Sequence, residues 1–163
     1  MIGIHFLLSP GISFWGTALK VTFPFASQSS TQTRSKTPSF QWSGAPVGTL
    51  SYAWTIKDLT ANNVHFILYD IAPTFAMLPE NLPRGAMPTM PAGAIWKSAF
   101  GGTPGYEGPG GGGVNNYELQ LWALKVAKLD IGTMNLNQIY MTLLPMQKLD
   151  SAKLMARGTR NGL

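Results

Sequence analysis

This chain has two histidines, His5 and His65, and histidine is the residue type best suited to acid–base chemistry near neutral pH. His65 lies in an apolar run, seven residues after Asp58. If the segments that carry them are neighbouring antiparallel strands, the two side chains meet at one rim of a sheet. Asp58 would then orient the imidazole, which makes the pair the candidate for catalysis. A second interpretation stays open, in which His65 is a core residue satisfied by one hydrogen bond.

The absence of cysteine excludes thiolate nucleophiles, disulfides, Cys-bound zinc and Cys-ligated iron–sulfur clusters. With two histidines, a histidine-based metal site is not expected either. The seven acidic residues include no pair suited to glycosidase chemistry, since Asp70, Glu80 and Glu118 lie in unrelated contexts. We therefore expect neither a metal nor another cofactor.

The glycine run Gly110–Gly113 does not match a nucleotide-binding phosphate loop. The chain lacks the Gly-x-x-x-x-Gly-Lys-Ser/Thr pattern, and the run precedes a predicted strand instead of a helix. Two interpretations stay open: a flexible surface loop, and a nest of backbone N–H groups that binds an anion.

The net charge of +5 arises from 12 Lys and Arg against 7 Asp and Glu, in a chain of which 12% is charged. The cations are scattered, without the dense basic stripe that is typical of nucleic-acid binders, so no nucleic-acid partner is predicted. Four of them lie close together near the C-terminus and are interpreted as the solvated face of a helix: Lys148, Lys153, Arg157 and Arg160.

The elements that must position these side chains are mainly strands, because 18 glycines and 12 prolines are too many for a helical bundle. Alternating and apolar patterns predict five strands, at residues 19–25, 40–42, 50–57, 64–71 and 117–126. Tyr52, Trp54 and Ile56 are expected to share one face of the third strand. The nearly continuous apolar run of the fourth indicates burial on both faces.

Helices are predicted only near the C-terminus, at residues 135–144 and 149–157, with Pro145 between them. Residues 27–39 are rich in Ser and Thr and are typical of an exposed loop. Residues 84–116 are dominated by Gly, Pro and small polar residues, and so long an irregular stretch favours a role in shaping a site.

The N-terminal 18 residues are apolar in patches and are interrupted at Pro10–Gly11. We interpret residues 1–18 as an extension or a first strand, and residues 19–163 as a single domain. No segment reaches about 18 uninterrupted apolar residues, so no transmembrane segment is predicted. A cytoplasmic location is expected, or a periplasmic or secreted one if residues 1–26 act as a signal.

Several motifs, in serial order, resemble the phosphatidylethanolamine-binding protein family, and in particular its bacterial, Raf-kinase-inhibitor-like branch. They are Phe40-Gln-Trp-Ser-Gly-Ala-Pro-Val-Gly-Thr-Leu-Ser-Tyr-Ala53, Lys57-Asp58, Val64-His65-Phe66, Tyr69-Asp-Ile71, Leu78-Pro79, Gly105-Tyr106-Glu107-Gly108-Pro109, Asn116-Tyr117 and Leu149-Asp-Ser-Ala-Lys-Leu154. The last motif is similar to the family's C-terminal helix. The resemblance implies a mainly β protein, with an antiparallel two-sheet Greek-key fold and a short C-terminal helix.

The resemblance also implies a small anion-binding pocket, which in this family accepts phosphate, acetate or phosphorylated head groups. Thr60 stands where the family has a second Asp, and Asn115 where it has a His. Because Asn115 is neutral but keeps two amide donors, we expect a less charged ligand and a weaker pH dependence. Carried over residue by residue, the ligand-binding set is Asp58, Thr60, His65, Tyr106, Gly108, Pro109, Gly110, Asn115 and Tyr117.

A small-ligand binding protein is the function that the resemblance implies, with a small anionic or phosphorylated molecule as its partner. Two alternatives stay open. One is an enzyme, such as a cyclase or isomerase of a biosynthetic pathway, that uses Asp58 and His65 in the same pocket. The other is an interaction protein whose pocket is vestigial. A protein partner and a homodimer also stay open.

Overall fold

A computed structural model describes five ranges of the chain, residues 2–5, 18–22, 37–99, 102–106 and 113–160. The predicted Ser/Thr-rich loop therefore lies largely outside the described residues. The same holds for residues 6–17, so that the assignment of residues 1–18 as an extension or a first strand stays a prediction. None of the helices in the described ranges is long and apolar enough to cross a membrane.

Nine strands and one helical segment make up the described part of the chain. The strands are β1 (Ile2–His5), β2 (Lys20–Thr22), β3 (Phe40–Ser43), β4 (Ser51–Asp58), β5 (Asn63–Ile71), β6 (Met77–Leu78), β7 (Ile95–Ser98), β8 (Gly113–Leu124) and β9 (Lys148–Arg160). The helical segment runs without a break through α1 (Leu136–Gln138), a π-helical turn (Ile139–Leu143) and α2 (Leu144–Gln147).

The strands form two antiparallel sheets, one of six strands in the order β1-β9-β8-β4-β5-β7 and one of three in the order β2-β3-β6. Within the larger sheet, β8 returns to lie beside β4 after β5 and β7 have been added on the other side. This is Greek-key order. The predicted fold class, mainly β with two antiparallel sheets and a short helical segment in the C-terminal part, is confirmed.

The larger sheet is buried on both faces, and the described residues form one hydrophobic cluster on each face. Trp54 and Phe66 pack with Phe40 of the three-stranded sheet in the inter-sheet cluster. Ile67 packs with Ile139 of the helical segment in the helix-side cluster. The predicted burial of β5 on both faces is therefore confirmed.

Tyr140 connects the helical segment to the sheet by polar contacts as well. Its hydroxyl donates to Glu118 Oε1 and, at 3.2 Å, lies against Gln120 Oε1. Lys153 Nζ lies 3.0 Å from Glu118 Oε2. Burial, followed by the hydrogen bond to Glu118 and its negative charge, raises the pKa of Tyr140 well above its usual range.

The helix predicted at residues 149–157 is wrong, because this segment belongs to β9. It pairs with β8 along nearly its whole length, from Leu124↔Lys148 to Gly113↔Arg160. Its apolar residues at 152, 154 and 156 face inward, while 153, 155 and 157 are exposed, and this period of two fits a half-buried strand. The basic residues of the tail thus lie on a strand, and Pro145 lies in the first turn of α2 instead of separating two helices.

The irregular stretch predicted at residues 84–116 also contains regular structure. Residues 95–98 form β7, which pairs with β5 as an edge strand, and β8 begins at Gly113. A four-residue strand is too short to produce a clear alternation, and its pairing with β5 is a long-range interaction.

Candidate functional site

The β4–β5 hairpin positions Asp58 at the end of β4, opposite Asn63. Asp58 Oδ1 accepts hydrogen bonds from the backbone N–H groups of Thr60 at 2.8 Å and Ala61 at 2.9 Å. A carboxylate at the start of a turn commonly stabilises it in this way. The left-handed residue Asn62, with φ of 52°, completes the turn before β5 begins.

A β-bulge in β5 sets the direction of His65. Ile56 pairs with Phe66, but the next residue of β4, Lys57, pairs with Val64, which leaves His65 as an extra residue. Val64 consequently lies in the helix-side cluster and Phe66 in the inter-sheet cluster. The bulge allows His65 to lie on the same side of the sheet as Phe66, where a regular strand would place it on the other side.

The structure brings His65, Asp58 and Tyr117 together. His65 Nε2 lies 3.9 Å from Asp58 Oδ2, and the side chains are 11% and 3% exposed, respectively. The rings of His65 and Tyr117 meet edge to face, with centroids 5.6 Å apart. The distance between His65 and Asp58 is too long for a hydrogen bond but short enough for an ion pair when the imidazole is protonated.

Asn115 lies on β8 and donates both of its amide hydrogens within the protein. Its Nδ2 is 2.9 Å from Asp58 Oδ2 and 3.3 Å from the Tyr117 hydroxyl oxygen. Both of its donors are therefore directed at Asp58 and Tyr117, and a contact of Asn115 with a ligand stays a prediction. The hydrogen bond from Asn115 occupies one of the acceptor positions of the Asp58 carboxylate.

Thr60 attaches the hairpin turn to β8. Its Oγ1 accepts a hydrogen bond from the backbone N–H of Asn116 at 3.0 Å, and the backbone N–H of Leu59 donates to the carbonyl of Asn116 at 2.8 Å. Thr60 thus holds the turn against β8, next to Asn115. Apart from the position of Thr60 in the motif, nothing in the sequence indicates this hydrogen bond to Asn116.

Two tyrosines of the expected set, Tyr106 and Tyr117, are buried side by side in the inter-sheet cluster. Burial, with a smaller effect of Tyr117, raises the pKa of Tyr106 well above its usual range. Burial also raises the pKa of Tyr117; its hydrogen bond with Asn115 opposes this shift, and the nearby Asp58 carboxylate adds to it. Both hydroxyl groups therefore stay protonated at neutral pH and act as hydrogen-bonding groups. Gly108, Pro109 and Gly110 lie outside the described residues.

Sequence reasoning missed Ser98, which fixes the segment before Tyr106. Its Oγ donates to the carbonyl of Gly105 at 3.2 Å and accepts from the N–H of Gly105 at 2.9 Å. A Cβ at Gly105, where φ is 153°, would lie 2.9 Å from Arg84 Cγ, so a glycine suits this position. The glycine was visible in the Gly105-Tyr106 motif, but nothing in the sequence distinguished Ser98 from other serines.

Comparisons with known proteins agree with this architecture. A family model described as phosphatidylethanolamine-binding protein matches residues 16–158. The chain is 29% identical over 124 residues to the UPF0098 protein YbcL of Escherichia coli (strain K12), covering 72% of this chain and 68% of YbcL. The crystal structure of E. coli YbcL is similar with a TM-score of 0.58 and 26% identity, covering 74% of this chain and 78% of that chain.

A second solved structure supports the fold alone. It is that of CT736 from Chlamydia trachomatis, a homolog of phosphatidylethanolamine-binding protein, with a TM-score of 0.63 and 17% identity. The match covers 86% of this chain and 96% of that chain.

Proposed function

The chain belongs to the phosphatidylethanolamine-binding protein family, and from that premise we propose that it binds a small anionic or phosphorylated ligand beside His65 and Tyr117. Asp58, Thr60 and Asn115 form the supporting framework of this pocket. We extend the proposed set to Tyr106 and to the loop at residues 108–110, as the family resemblance implies.

The observation that carries this proposal is the bulge at His65. The extra residue directs an imidazole towards Tyr117 at the rim of the sheet, while the strand on either side keeps its pairing. Bulges are common beside binding sites because they change the direction of one side chain without ending the strand.

The hydrogen bonds of Asp58 predict a ligand of low charge. Three N–H donors, from Thr60, Ala61 and Asn115, already contact this carboxylate. Of the side chains proposed to face the ligand, His65 is the one that can become cationic. A phosphorylated compound should therefore bind more weakly than it would beside two histidines.

Calorimetric titration of phosphoethanolamine and inorganic phosphate into wild type, H65A and H5A tests the proposal. We expect H65A to weaken phosphoethanolamine binding by roughly tenfold or more, because a charge-assisted hydrogen bond is lost. H5A, which removes the other histidine, should match wild type. Equal binding by wild type and H65A, or no binding by wild type, would overturn the proposal, and the second result would favour an interaction protein.

The variant N115H tests separately whether the neutral side chain at position 115 weakens anion binding. It places an ionisable donor where the family has a second histidine, and we expect it to raise phosphate affinity by about tenfold at pH 6. Unchanged affinity would show that the neutral residue at this position does not limit anion binding.

The catalytic alternative receives less support from the same geometry. His65 Nε2 and Asp58 Oδ2 are 3.9 Å apart, so Asp58 does not orient the imidazole through a hydrogen bond between these two atoms. Because three N–H groups also contact Asp58, its contacts suit a positioning residue better than a proton acceptor.

A further inference from the structure

A cleft of about 420 Å³ lies on the helix side of the larger sheet, on the opposite face from the side chain of His65. One wall is the start of β5 and the end of β7, and the other is the segment 133–137 at the start of the helical segment. Ligand pockets usually have volumes of about 300–1,000 Å³, so the cleft is larger than an inorganic ion needs.

Two asparagines of the cleft are oriented by hydrogen bonds to their carbonyl oxygens. Asn135 Oδ1 accepts from the N–H of Gln138 at 2.9 Å, and Asn137 Oδ1 accepts from the N–H of Val64 at 3.4 Å. Within the described ranges, no acceptor takes a hydrogen bond from either Nδ2 group. Because the acceptor atoms are in use, these side chains offer donors to the cleft.

Lys97 adds a positive charge to this set of donors. It lies on β7 opposite Ile67, half-buried, and no residue that lines the cleft is acidic. Lys97 forms no salt bridge with any residue in the described part of the chain. A concave surface with one cation, several N–H donors and no carboxylate attracts anions.

We propose that this cleft binds a small organic anion, a carboxylate or a phosphate monoester. Lys97 and the Nδ2 groups of Asn135 and Asn137 hold its charged group. Met134 and Leu136, which also line the cleft, contact its apolar body. The proposal is independent of the function proposed above, since the two sites lie on opposite faces of the sheet.

Phenyl phosphate and benzoate are suitable probes, and benzyl alcohol is the neutral control. NMR spectra of the full chain, with side-chain amides assigned, locate the binding. We expect both anions to shift the Nδ2 signals of Asn135 and Asn137, and benzyl alcohol to leave them unchanged. The relative affinity of the two anions then distinguishes a phosphate site from a carboxylate site.

Two variants test the donors. K97M keeps most of the side-chain stem but removes the charge, and N137D keeps the acceptor for Val64 while it replaces two donors with a second oxygen. Each should weaken binding of the preferred anion by roughly tenfold or more. K125M, which removes an exposed lysine outside the cleft and gives the same net charge as K97M, should change the affinity less than twofold.

Two results would overturn the proposal. The first is equal affinity for K97M and K125M, which would show only a general effect of net charge. The second is an absence of shifts at Asn135 and Asn137, including the case in which shifts are confined to the surroundings of His65.

Discussion

Two buried aspartates, Asp58 at the turn between β4 and β5 and Asp70 in β5, each hold a loop against the larger sheet. Asp58 accepts from the turn that follows it, whereas Asp70 Oδ1 accepts from the backbone N–H of Leu129 at 2.8 Å. Asp70 lies in a second bulge of β5 with φ of 59°, and its Oδ2 is 3.5 Å from Lys128 Nζ. Each carboxylate thus attaches a loop to the sheet through backbone N–H groups.

The structure predicts a clear order of stability for substitutions at Asp70. D70A leaves the buried N–H of Leu129 without its acceptor and keeps a positive φ, so we expect the free energy of unfolding to fall by about 2–3 kcal/mol. D70N keeps an acceptor, tolerates the left-handed conformation and loses only the pair with the exposed Lys128, at a cost of less than about 1 kcal/mol. Urea unfolding measures both, and equal losses would contradict this account.

At the scale of elements, the sequence patterns predict the bounds of a strand well where the strand is long and its neighbours are close in the chain. The predictions for β4 and β5 agree with the structure within one residue. The predicted strand at residues 19–25 is only partly described, as β2 at Lys20–Thr22. The helix predicted at 149–157 is wrong because Ala152, Leu154 and Ala156 have a period of two, which is that of a half-buried strand.

The candidate residues could be recognised from the family motif, but their contacts could not. The bulge depends on the pairing of Lys57 with Val64 across two strands. This register cannot be read from a single sequence. The direction of His65 and the use of both Asn115 amide hydrogens follow from that register.

Tyr140 makes the attachment of the helical segment to the sheet dependent on pH. Because its folded pKa lies above its usual value of about 10, its contribution to stability is complete below pH 10 and is lost as the pH rises towards the folded pKa. Y140F removes the hydroxyl that donates to Glu118 and should lower the free energy of unfolding at pH 7 by about 1–3 kcal/mol. The difference between wild type and Y140F should then shrink above pH 10.

Urea unfolding of both proteins at pH 7, 9 and 11 checks this prediction. The comparison cancels the titration of lysines and of the other tyrosines, which both proteins share. A difference that is the same at all three pH values would show that the hydroxyl does not titrate with a raised pKa.

At the scale of the whole molecule, one sheet separates two hydrophobic clusters. Neighbouring residues of β5, Phe66 and Ile67, contribute to opposite clusters and are both fully buried. Because β5 contributes side chains to both clusters, unfolding of this strand disrupts both at once. We therefore expect the three-stranded sheet and the helical segment to unfold together.

L78A in the three-stranded sheet and I139A in the helical segment test this coupling. Both side chains are 0% exposed, and each truncation should lower the free energy of unfolding by about 2–5 kcal/mol. Tryptophan fluorescence and far-ultraviolet circular dichroism should report the same urea midpoint in each variant. Separate midpoints in I139A would show that the helical layer unfolds on its own.

The bulge at His65 also has an evolutionary consequence. Deletion of the one codon for His65 would leave Val64 opposite Lys57 and Phe66 opposite Ile56, which are the partners that they already have. The ladder would become regular at this point, with the second bulge at Asp70 unchanged, and both hydrophobic clusters would keep their members. A single in-frame deletion is therefore a short mutational route from this sheet to one that is equally well paired at this point and lacks the imidazole of His65.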